Sequence, residues 1–171
     1  MKKILVDWKT IENYTLEIAR QISSSRWQPD YVVGITRGGL TSATLLSQWF
    51  NCPMHTLEVH FKRGEPDGCE SVLWMAEDAF GKQGDRKNIL VIDDINKAGN
   101  MINWVINDWQ DSCFPKDSRW KDIWGNNVRF AALFDKPTGR VLHHVDYSAV
   151  QMDLDDEHWI YMPWQDWWMR Q

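Results

Sequence analysis

The chain is 171 residues long, with 43% hydrophobic and 25% charged residues and a formal net charge of −5. The length favours a single domain, 1–171, and the composition is that of a globular protein rather than a disordered one. A negative chain without a long run of Lys or Arg argues against nucleic-acid binding through phosphate neutralisation.

The three cysteines, Cys52, Cys69 and Cys113, are odd in number and include no C-x-x-C pair. Their spacing therefore predicts neither a disulfide framework nor a structural zinc site. No apolar stretch approaches the length of a membrane span, and the N-terminal apolar run is too short for a signal peptide. We expect a soluble cytoplasmic protein with no membrane partner.

The first half of the chain alternates helical and strand patterns. Apolar residues recur at helical spacing after Asp7, a suitable N-cap, and predict a helix over residues 8–24. The sequence then predicts a strand over 31–35, a helix over 40–50 and a strand over 54–61.

The second half begins with a polar segment, 62–88, that glycines interrupt and that we interpret as a small flexible hood. A strand over 89–92, a helix over 101–109 and a strand over 128–134 follow. Alternating strands and helices require crossover connections, so the expected fold class is α/β: a mostly parallel central sheet flanked by helices, with a small hood. The aromatic residues near the C-terminus are typical of a core or a subunit interface.

Two of the predicted strands end in loops that carry polar and glycine residues. One loop is TRGG, residues 36–39, and the other is DDINKAGN, residues 93–100. Parallel α/β sheets bind ligands outside the carboxyl ends of their strands, where such loops converge. The two loops together indicate a ligand site at that edge of the sheet.

The second loop has the chemistry of a ribose-phosphate site. Residues 95–101 lead into a helix, whose backbone N–H groups favour a phosphate, and Gly99 permits close approach of the backbone. Asp93 and Asp94 supply acceptors suited to vicinal sugar hydroxyls or to a magnesium ion. From this loop alone, a solvated strand end followed by an ordinary turn explains the residues equally well.

The stretch ILVIDDINKAGN resembles the phosphoribosyl pyrophosphate (PRPP) motif of the type I phosphoribosyltransferases. The stretches VDWKTI, GITRGGL, FDKPTGR and HWIYMPWQD extend the resemblance in order along nearly the whole chain, and the bacterial xanthine-guanine branch of the family is the nearest. The resemblance implies transfer of the 5-phosphoribosyl group from PRPP to a 6-oxopurine base (guanine, xanthine or hypoxanthine), with release of pyrophosphate. It also implies Mg2+ as cofactor and a homo-oligomer.

The resemblance assigns a PRPP-binding role to two groups of residues. They are Thr36, Arg37, Gly38 and Gly39 in the first loop, and Asp93, Asp94, Ile95, Asn96, Ala98, Gly99, Asn100 and Met101 in the second. Family members often have a non-proline cis peptide in the first loop, which we expect here between Thr36 and Arg37.

A base-binding role is implied for the C-terminal segment 150–171 and for a lysine before it. Lys136 matches the residue that contacts the exocyclic oxygen of the purine, Trp159 the aromatic that stacks on the base, and Ile160 a backbone contact with its edge. The plain alternatives are a surface lysine and a core tryptophan. Asp94 and Asp166 match acids near the metal, Asp166 less closely because it is displaced by one residue.

The sequence departs from the family pattern in its second loop. Lys97 occupies the position at which purine enzymes commonly carry an aspartate that acts as general acid or base, so we assign Asp93, Asp94 and Lys97 as the catalytic candidates. Loss of such a group typically slows catalysis about a hundred- to ten-thousand-fold. Two hypotheses follow: a magnesium-dependent purine phosphoribosyltransferase, or a non-catalytic PRPP- or nucleotide-binding regulatory protein on the same fold.

Overall fold

The computed structural model describes residues 2–136 and 138–170. Its elements follow in the order β1 (Lys3–Leu5), α1 (Trp8–Ser24), β2 (Tyr31–Thr36), α2 (Leu40–Phe50), β3 (Met54–Glu58), β4 (Phe61–Lys62), β5 (Glu65–Pro66), α3 (Leu73–Phe80), β6 (Ile89–Lys97), α4 (Asn100–Ser112), β7 (Val128–Lys136), β8 (Tyr147–Gln151) and β9 (Trp159–Tyr161). Two short 3-10 helices cover Ser118–Asp122 and Trp167–Met169.

The central sheet has five strands in the order β3-β2-β6-β7-β8, and each neighbouring pair is parallel. Helices α1 and α2 contribute to the hydrophobic core on one face, and α3 and α4 to the core on the other. The strands are apolar and β-branched because both faces of a parallel sheet are covered. This architecture confirms the expected fold class.

Helix α1 forms where its sequence predicts it. Asp7 caps the helix by accepting a hydrogen bond from the backbone N–H of Thr10 at 2.7 Å. Ile11, Ile18 and Ile22 lie on one face of the helix and are fully buried. The predicted bounds, 8–24, are confirmed because both the cap and the apolar spacing are local signals.

The strand that carries the two acids is longer than the sequence predicts. β6 does not end at residue 92 but continues to Lys97, because β7 runs beside it as far as Lys136 and supplies hydrogen-bonding partners. Asp93 and Asp94 therefore lie within a paired strand rather than at its mouth. Only Ala98 and Gly99 separate the strand from α4.

The prediction of a single hood over 62–88 was wrong for its second half. The first half forms the β4-β5 hairpin, but Leu73–Phe80 is helix α3, whose residues Met75, Ala76 and Ala79 are buried in the core. Helical spacing of these apolar residues outweighs the glycine signals on either side. Flexibility of the hairpin stays a prediction.

A separate pair of strands joins the two ends of the chain. β1 and β9 are parallel, and Ile4 lies opposite Ile160. The pairing holds residues 159–161 beside the central sheet, close to the ends of β6 and β7. None of the helices described is long and apolar enough to cross a bilayer.

Candidate active site

The two loops identified from the sequence meet at one edge of the sheet. A Cβ atom placed on Gly38 would lie 2.3 Å from Cγ of Asp94, so the backbone of the first loop rests directly against the carboxylate of the second. Any side chain at position 38 would displace either the loop backbone or the Asp94 carboxylate. The expected cis peptide between Thr36 and Arg37 is confirmed.

Asp93 and Asp94 form a closely coupled pair of acids. The Asp94 backbone N–H donates to Oδ1 of Asp93, and the Ile95 N–H donates to Oδ1 of Asp94, both at 2.8 Å. Burial, reinforced by the neighbouring Asp94, raises the pKa of Asp93 well above its ordinary value, and burial also raises the pKa of Asp94. The pair therefore favours a bound cation or hydroxyl donors, which would stabilise its ionised form.

The acid pair fits a magnesium ion that arrives with its substrate. Among the described residues no group of three or more His, Cys, Asp or Glu side chains is arranged to hold a metal ion, so Asp166 does not complete a three-ligand protein site with the pair. Asp166 instead accepts a hydrogen bond from the Tyr161 hydroxyl. Magnesium is commonly held by one or two carboxylates together with substrate phosphates, a coordination that Asp93 and Asp94 can support.

The turn between β6 and α4 has the backbone of an anion site. Ala98 and Gly99 both adopt left-handed conformations, with φ of 62° and 73°, and the first N–H groups of the 13-residue helix α4 follow directly. These N–H groups have no partner within the helix and favour an anion. The Met101 side chain is buried in the core, so only its backbone can serve a phosphate.

The side chain of Asn96, one of the residues predicted to bind PRPP, is hydrogen-bonded inside the sheet. The Asn96 side chain is 2% exposed and donates to Oδ1 of Asp135 at 2.7 Å, inside the sheet. This placement follows from the extension of β6, because Asn96 is a strand residue rather than a loop residue. The Asn96 side chain is not available to a phosphate, so only its backbone can serve the predicted PRPP contact.

Residues 138–142, which we call the strap, rest on the turn at Ala98–Gly99. A Cβ atom on Gly99 would lie 2.3 Å from Cγ1 of Val141, and one on Gly139 would lie 2.5 Å from the Ala98 carbonyl oxygen. Asn103 fixes the strap by donating to the Arg140 carbonyl and accepting from the Leu142 N–H, both at 2.8 Å. The sequence analysis missed this contact, for which Gly139 was the available signal.

The base-binding candidates converge on one cavity of about 570 Å³ beside the ends of β6 and β7. Its wall includes Lys97, Lys136, Trp159 and Ile160 together with Ile95, Met152, Asp156, Glu157, His158 and Gln165. The structure thus brings together all three residues predicted to bind the base, and it places Lys97 with them.

Lys136 is held at the cavity by the loop before β9. Its ammonium group donates to the carbonyl oxygen of Asp156. The Asp156 carboxylate in turn accepts from the backbone N–H of His158 at 2.8 Å and from the His158 ring, and these hydrogen bonds lower the pKa of Asp156. Lys136 is partly buried, so the alternative of a freely solvated surface lysine was wrong.

Trp159 and Ile160 present different groups to the cavity. The Trp159 side chain is 48% exposed, which excludes the alternative of a core tryptophan and leaves a ring surface for stacking. The Trp159 N–H donates to the Lys2 carbonyl at 2.8 Å, and the Tyr161 carbonyl accepts from the Val6 N–H at 3.0 Å. Alternate residues of a strand hydrogen-bond to the same neighbouring strand. Because Trp159 and Tyr161 bond to β1 and its flanks, the backbone N–H and C=O groups of Ile160 point away from β1.

Arg170 supports the strand that carries Trp159 and Ile160, a role that was not predicted from the sequence. Its guanidinium group donates to the carbonyl oxygens of Val6, Tyr161 and Met162 at 3.0, 3.2 and 2.7 Å and lies over the Tyr161 ring. It therefore ties the end of the chain to β9. A lone arginine near a terminus offers no sequence signal for such a role.

An acid pair, a turn with the geometry of an anion site and a cavity with an aromatic wall lie at the carboxyl edge of a parallel sheet, an arrangement that suits a nucleotide-like ligand. The chain matches the phosphoribosyl transferase domain over residues 2–166, so it belongs to the phosphoribosyltransferase family. It is 27% identical over 134 residues to a xanthine-guanine phosphoribosyltransferase of Cereibacter sphaeroides, covering 78% of this chain and 67% of that protein.

Solved structures share the fold. A purine phosphoribosyltransferase of Pyrococcus horikoshii superposes with a TM-score of 0.66 at 23% identity, covering 96% of this chain and 95% of the other. A xanthine-guanine-hypoxanthine phosphoribosyltransferase of Helicobacter pylori gives a TM-score of 0.65 at 20% identity, with coverage of 96% and 95%.

Proposed function

We propose that this protein is a magnesium-dependent purine phosphoribosyltransferase that transfers the 5-phosphoribosyl group of PRPP to a 6-oxopurine. One observation carries the proposal. Lys136 and Trp159, which only a base-binding site requires, line a single cavity at the end of the same strand that presents Asp93, Asp94 and the Ala98–Gly99 turn.

The ligand parts map onto the edge of the sheet in order. The turn at Ala98–Gly99 and the N-terminus of α4 bind the 5-phosphate, and Asp93 and Asp94 bind the ribose hydroxyls. The backbone of residues 36–39 binds the pyrophosphate, with Arg37 as its cation. Magnesium bound with PRPP supplies charge neutralisation for the leaving pyrophosphate, and Asp94 is its proposed ligand; the same role for Asp166 lacks support from the geometry.

The chemistry is a displacement at C1 of the ribose. The lone pair of a purine ring nitrogen forms a bond to C1 as the bond from C1 to the pyrophosphate oxygen breaks, and pyrophosphate leaves with the bonding electron pair. The protein contributes orientation and stabilisation of the charge that develops on the ribose ring.

The base is selected by hydrogen-bond donors. The Lys136 ammonium group can donate to an exocyclic oxygen at C6 but cannot accept from an amino group there. Trp159 stacks on the ring, and the backbone of Ile160 meets the purine edge. A 6-oxopurine is therefore favoured over adenine.

The proposal is tested by incubating the protein with PRPP, magnesium and one base at a time, and by titrating PRPP alone. Pyrophosphate should form with at least one of hypoxanthine, guanine and xanthine and not with adenine. Lys136→Gln should lower kcat/KM for the 6-oxopurine about tenfold or more, whereas Lys121→Gln, at an exposed position of the 3-10 helix Ser118–Asp122, should not. Binding of PRPP without turnover on any base would favour the regulatory hypothesis instead.

We further propose that the protein acts in the cytoplasm as a homo-oligomer. Cys52, Cys69 and Cys113 are free, as suits a reducing compartment. Exposed apolar side chains, among them Leu5 and Trp167, lie at the two chain ends that β1, β9 and Arg170 join. Light scattering of the purified protein tests the oligomeric state, and a monomer at micromolar concentration would contradict it.

A further inference from the structure

Lys97 and Lys136 are paired residues at the ends of β6 and β7, and both line the base cavity. Lys136 uses one of its three donors for the Asp156 carbonyl, and Lys97 is exposed. Neither lysine takes part in an ion pair within residues 2–136 and 138–170. Like charges opposite each other on neighbouring strands destabilise a sheet. An anion between the two ammonium groups would remove that cost.

The other charged groups at the cavity lie on the loop before β9. The Asp156 carboxylate is bonded to His158, and Glu157 is exposed beside it. Positive charge is thus carried by the ends of β6 and β7, and negative charge by the loop before β9 that Lys136 contacts. Glu157 and the His158 ring are the groups of the cavity that compete for the role of proton acceptor.

A neutral purine must lose a ring proton when its nitrogen becomes bonded to ribose. A carboxylate at position 97 could accept that proton, but a lysine ammonium group has three donors and no acceptor. Lys97 can instead donate to a ring nitrogen that has already lost its proton. The side chain therefore selects the ionisation state of the base rather than changing it.

We propose that the cavity binds the purine as its ring-deprotonated anion, with Lys97 paired to the anionic five-membered ring. The inference rests on the proposed function and specifies its substrate. The base releases its proton to solvent before it binds. The nitrogen lone pair of the anion then bonds to C1, the bond from C1 to oxygen breaks, and pyrophosphate departs with the electron pair, so no proton is transferred in that step.

The test compares guanine with 8-azaguanine from low to high pH. The two bases share the same six-membered ring edge, but the additional ring nitrogen makes the five-membered-ring N–H more acidic. The protein should favour 8-azaguanine near pH 7 by about tenfold in kcat/KM, and kcat/KM for guanine should rise with pH as guanine ionises. Lys97→Asp should abolish the preference, because aspartate can accept the proton of neutral guanine, and Lys121→Asp, the matched charge change outside the site, should retain it.

Two results would overturn the inference while the proposed function stands. One is turnover of both bases with equal kcat/KM that does not change with pH. The other is a preference that Lys97→Asp retains and that Glu157→Gln or His158→Gln increases, which would make that side chain the proton acceptor.

Failure of the proposed function is recognised separately by calorimetry of 8-azaguanine with pyrophosphate and magnesium. If no base is turned over but the anion still binds more tightly than the neutral base, and Lys97→Asp abolishes this difference, the cavity retains the proposed selectivity. If the protein neither turns over nor binds the anion preferentially, the inference is wrong.

Discussion

Asn96 donates a side-chain hydrogen bond to Asp135 across β6 and β7, at 2.7 Å and with both residues buried. The two are direct partners in the sheet, and each immediately precedes a lysine of the base cavity. The donor is Nδ2 of Asn96, and Oδ1 of Asn96 has no hydrogen-bond partner among the described residues. The pair therefore fixes the strand ends from which Lys97 and Lys136 project.

Replacing one member of this pair should lower the free energy of unfolding more than replacing both members. Asn96→Val leaves the buried Asp135 carboxylate without its donor and should lower the free energy of unfolding by about 2 to 3 kcal/mol. Asn96→Val combined with Asp135→Val removes both polar groups and should recover most of this loss. Chemical denaturation measures the difference, and an equal or larger loss in the double variant would show that the hydrogen bond is not the source of the stability.

The contact between the Ala98–Gly99 turn and the strap predicts a compensating pair of substitutions. Gly99→Ala should weaken PRPP binding about tenfold or more, because its Cβ would overlap Val141 and displace the turn. Val141→Ala removes the overlapping Cγ1 and should restore part of the affinity. Titration calorimetry of PRPP with the single and double variants measures both effects.

Gly64→Ala is the matched control for this experiment. Gly64 has a similar left-handed φ of 86°, but a Cβ there would meet nothing within 4 Å. It carries the conformational cost of the substitution without the steric overlap. Loss of PRPP affinity in Gly64→Ala equal to that in Gly99→Ala would refute the contact with the strap as the cause.

The acid pair predicts a gain in stability when its function is removed. Since burial raises the pKa of Asp93, the folded protein retains a proton at pH values where the unfolded chain has lost it, and the free energy of unfolding falls as pH rises. Asp93→Asn should therefore raise Tm at about pH 7.5 and flatten the decline of Tm between about pH 5 and about pH 8. It should also abolish turnover.

Asp117→Asn provides the opposite case. Hydrogen bonds from Arg119 lower the pKa of Asp117 to about 2, so this carboxylate contributes its stabilisation above its unfolded pKa and loses it only in strong acid. The substitution should not raise Tm near neutral pH. A gain in Tm from Asp117→Asn and none from Asp93→Asn would contradict the assignment of the buried acid.

Arg170 should act on the base rather than on PRPP. Arg170→Ala releases the carbonyl oxygens of Val6, Tyr161 and Met162 and should raise KM for the purine several-fold, about 1 kcal/mol, with little change in KM for PRPP. Arg170→Lys retains the charge but not the forked geometry and should be intermediate. A larger effect on KM for PRPP would place the role of Arg170 elsewhere.

The elements that the sequence predicts well are those with local signals. Asp7 and the spacing of Ile11, Ile18 and Ile22 define α1 without reference to the rest of the chain. The stretch from Asp93 to Lys97 is polar and reads as a loop, and only its pairing with β7 makes it a strand. Residues 3–5 and 159–161 likewise form strands only because they meet each other.

The residues of the site likewise divide into those that the sequence predicts and those that depend on tertiary pairing. Gly38, Asp94, Lys136 and Trp159 were recognisable by resemblance and occupy the expected edge of the sheet. The Asn96 contact with Asp135 depends on the register of two strands about 40 residues apart. Contacts of that kind are determined by tertiary packing, which a single sequence does not reveal.

The most direct test of the account is product formation from PRPP, magnesium and hypoxanthine or guanine, followed by separation of the nucleotide. The account predicts that the base becomes a nucleoside monophosphate and that one pyrophosphate is released for each. It also predicts that this product forms about tenfold or more slowly in Lys136→Gln and at the unchanged rate in Lys121→Gln. Absence of nucleotide with every 6-oxopurine, from a folded protein that binds PRPP, would contradict the central claim.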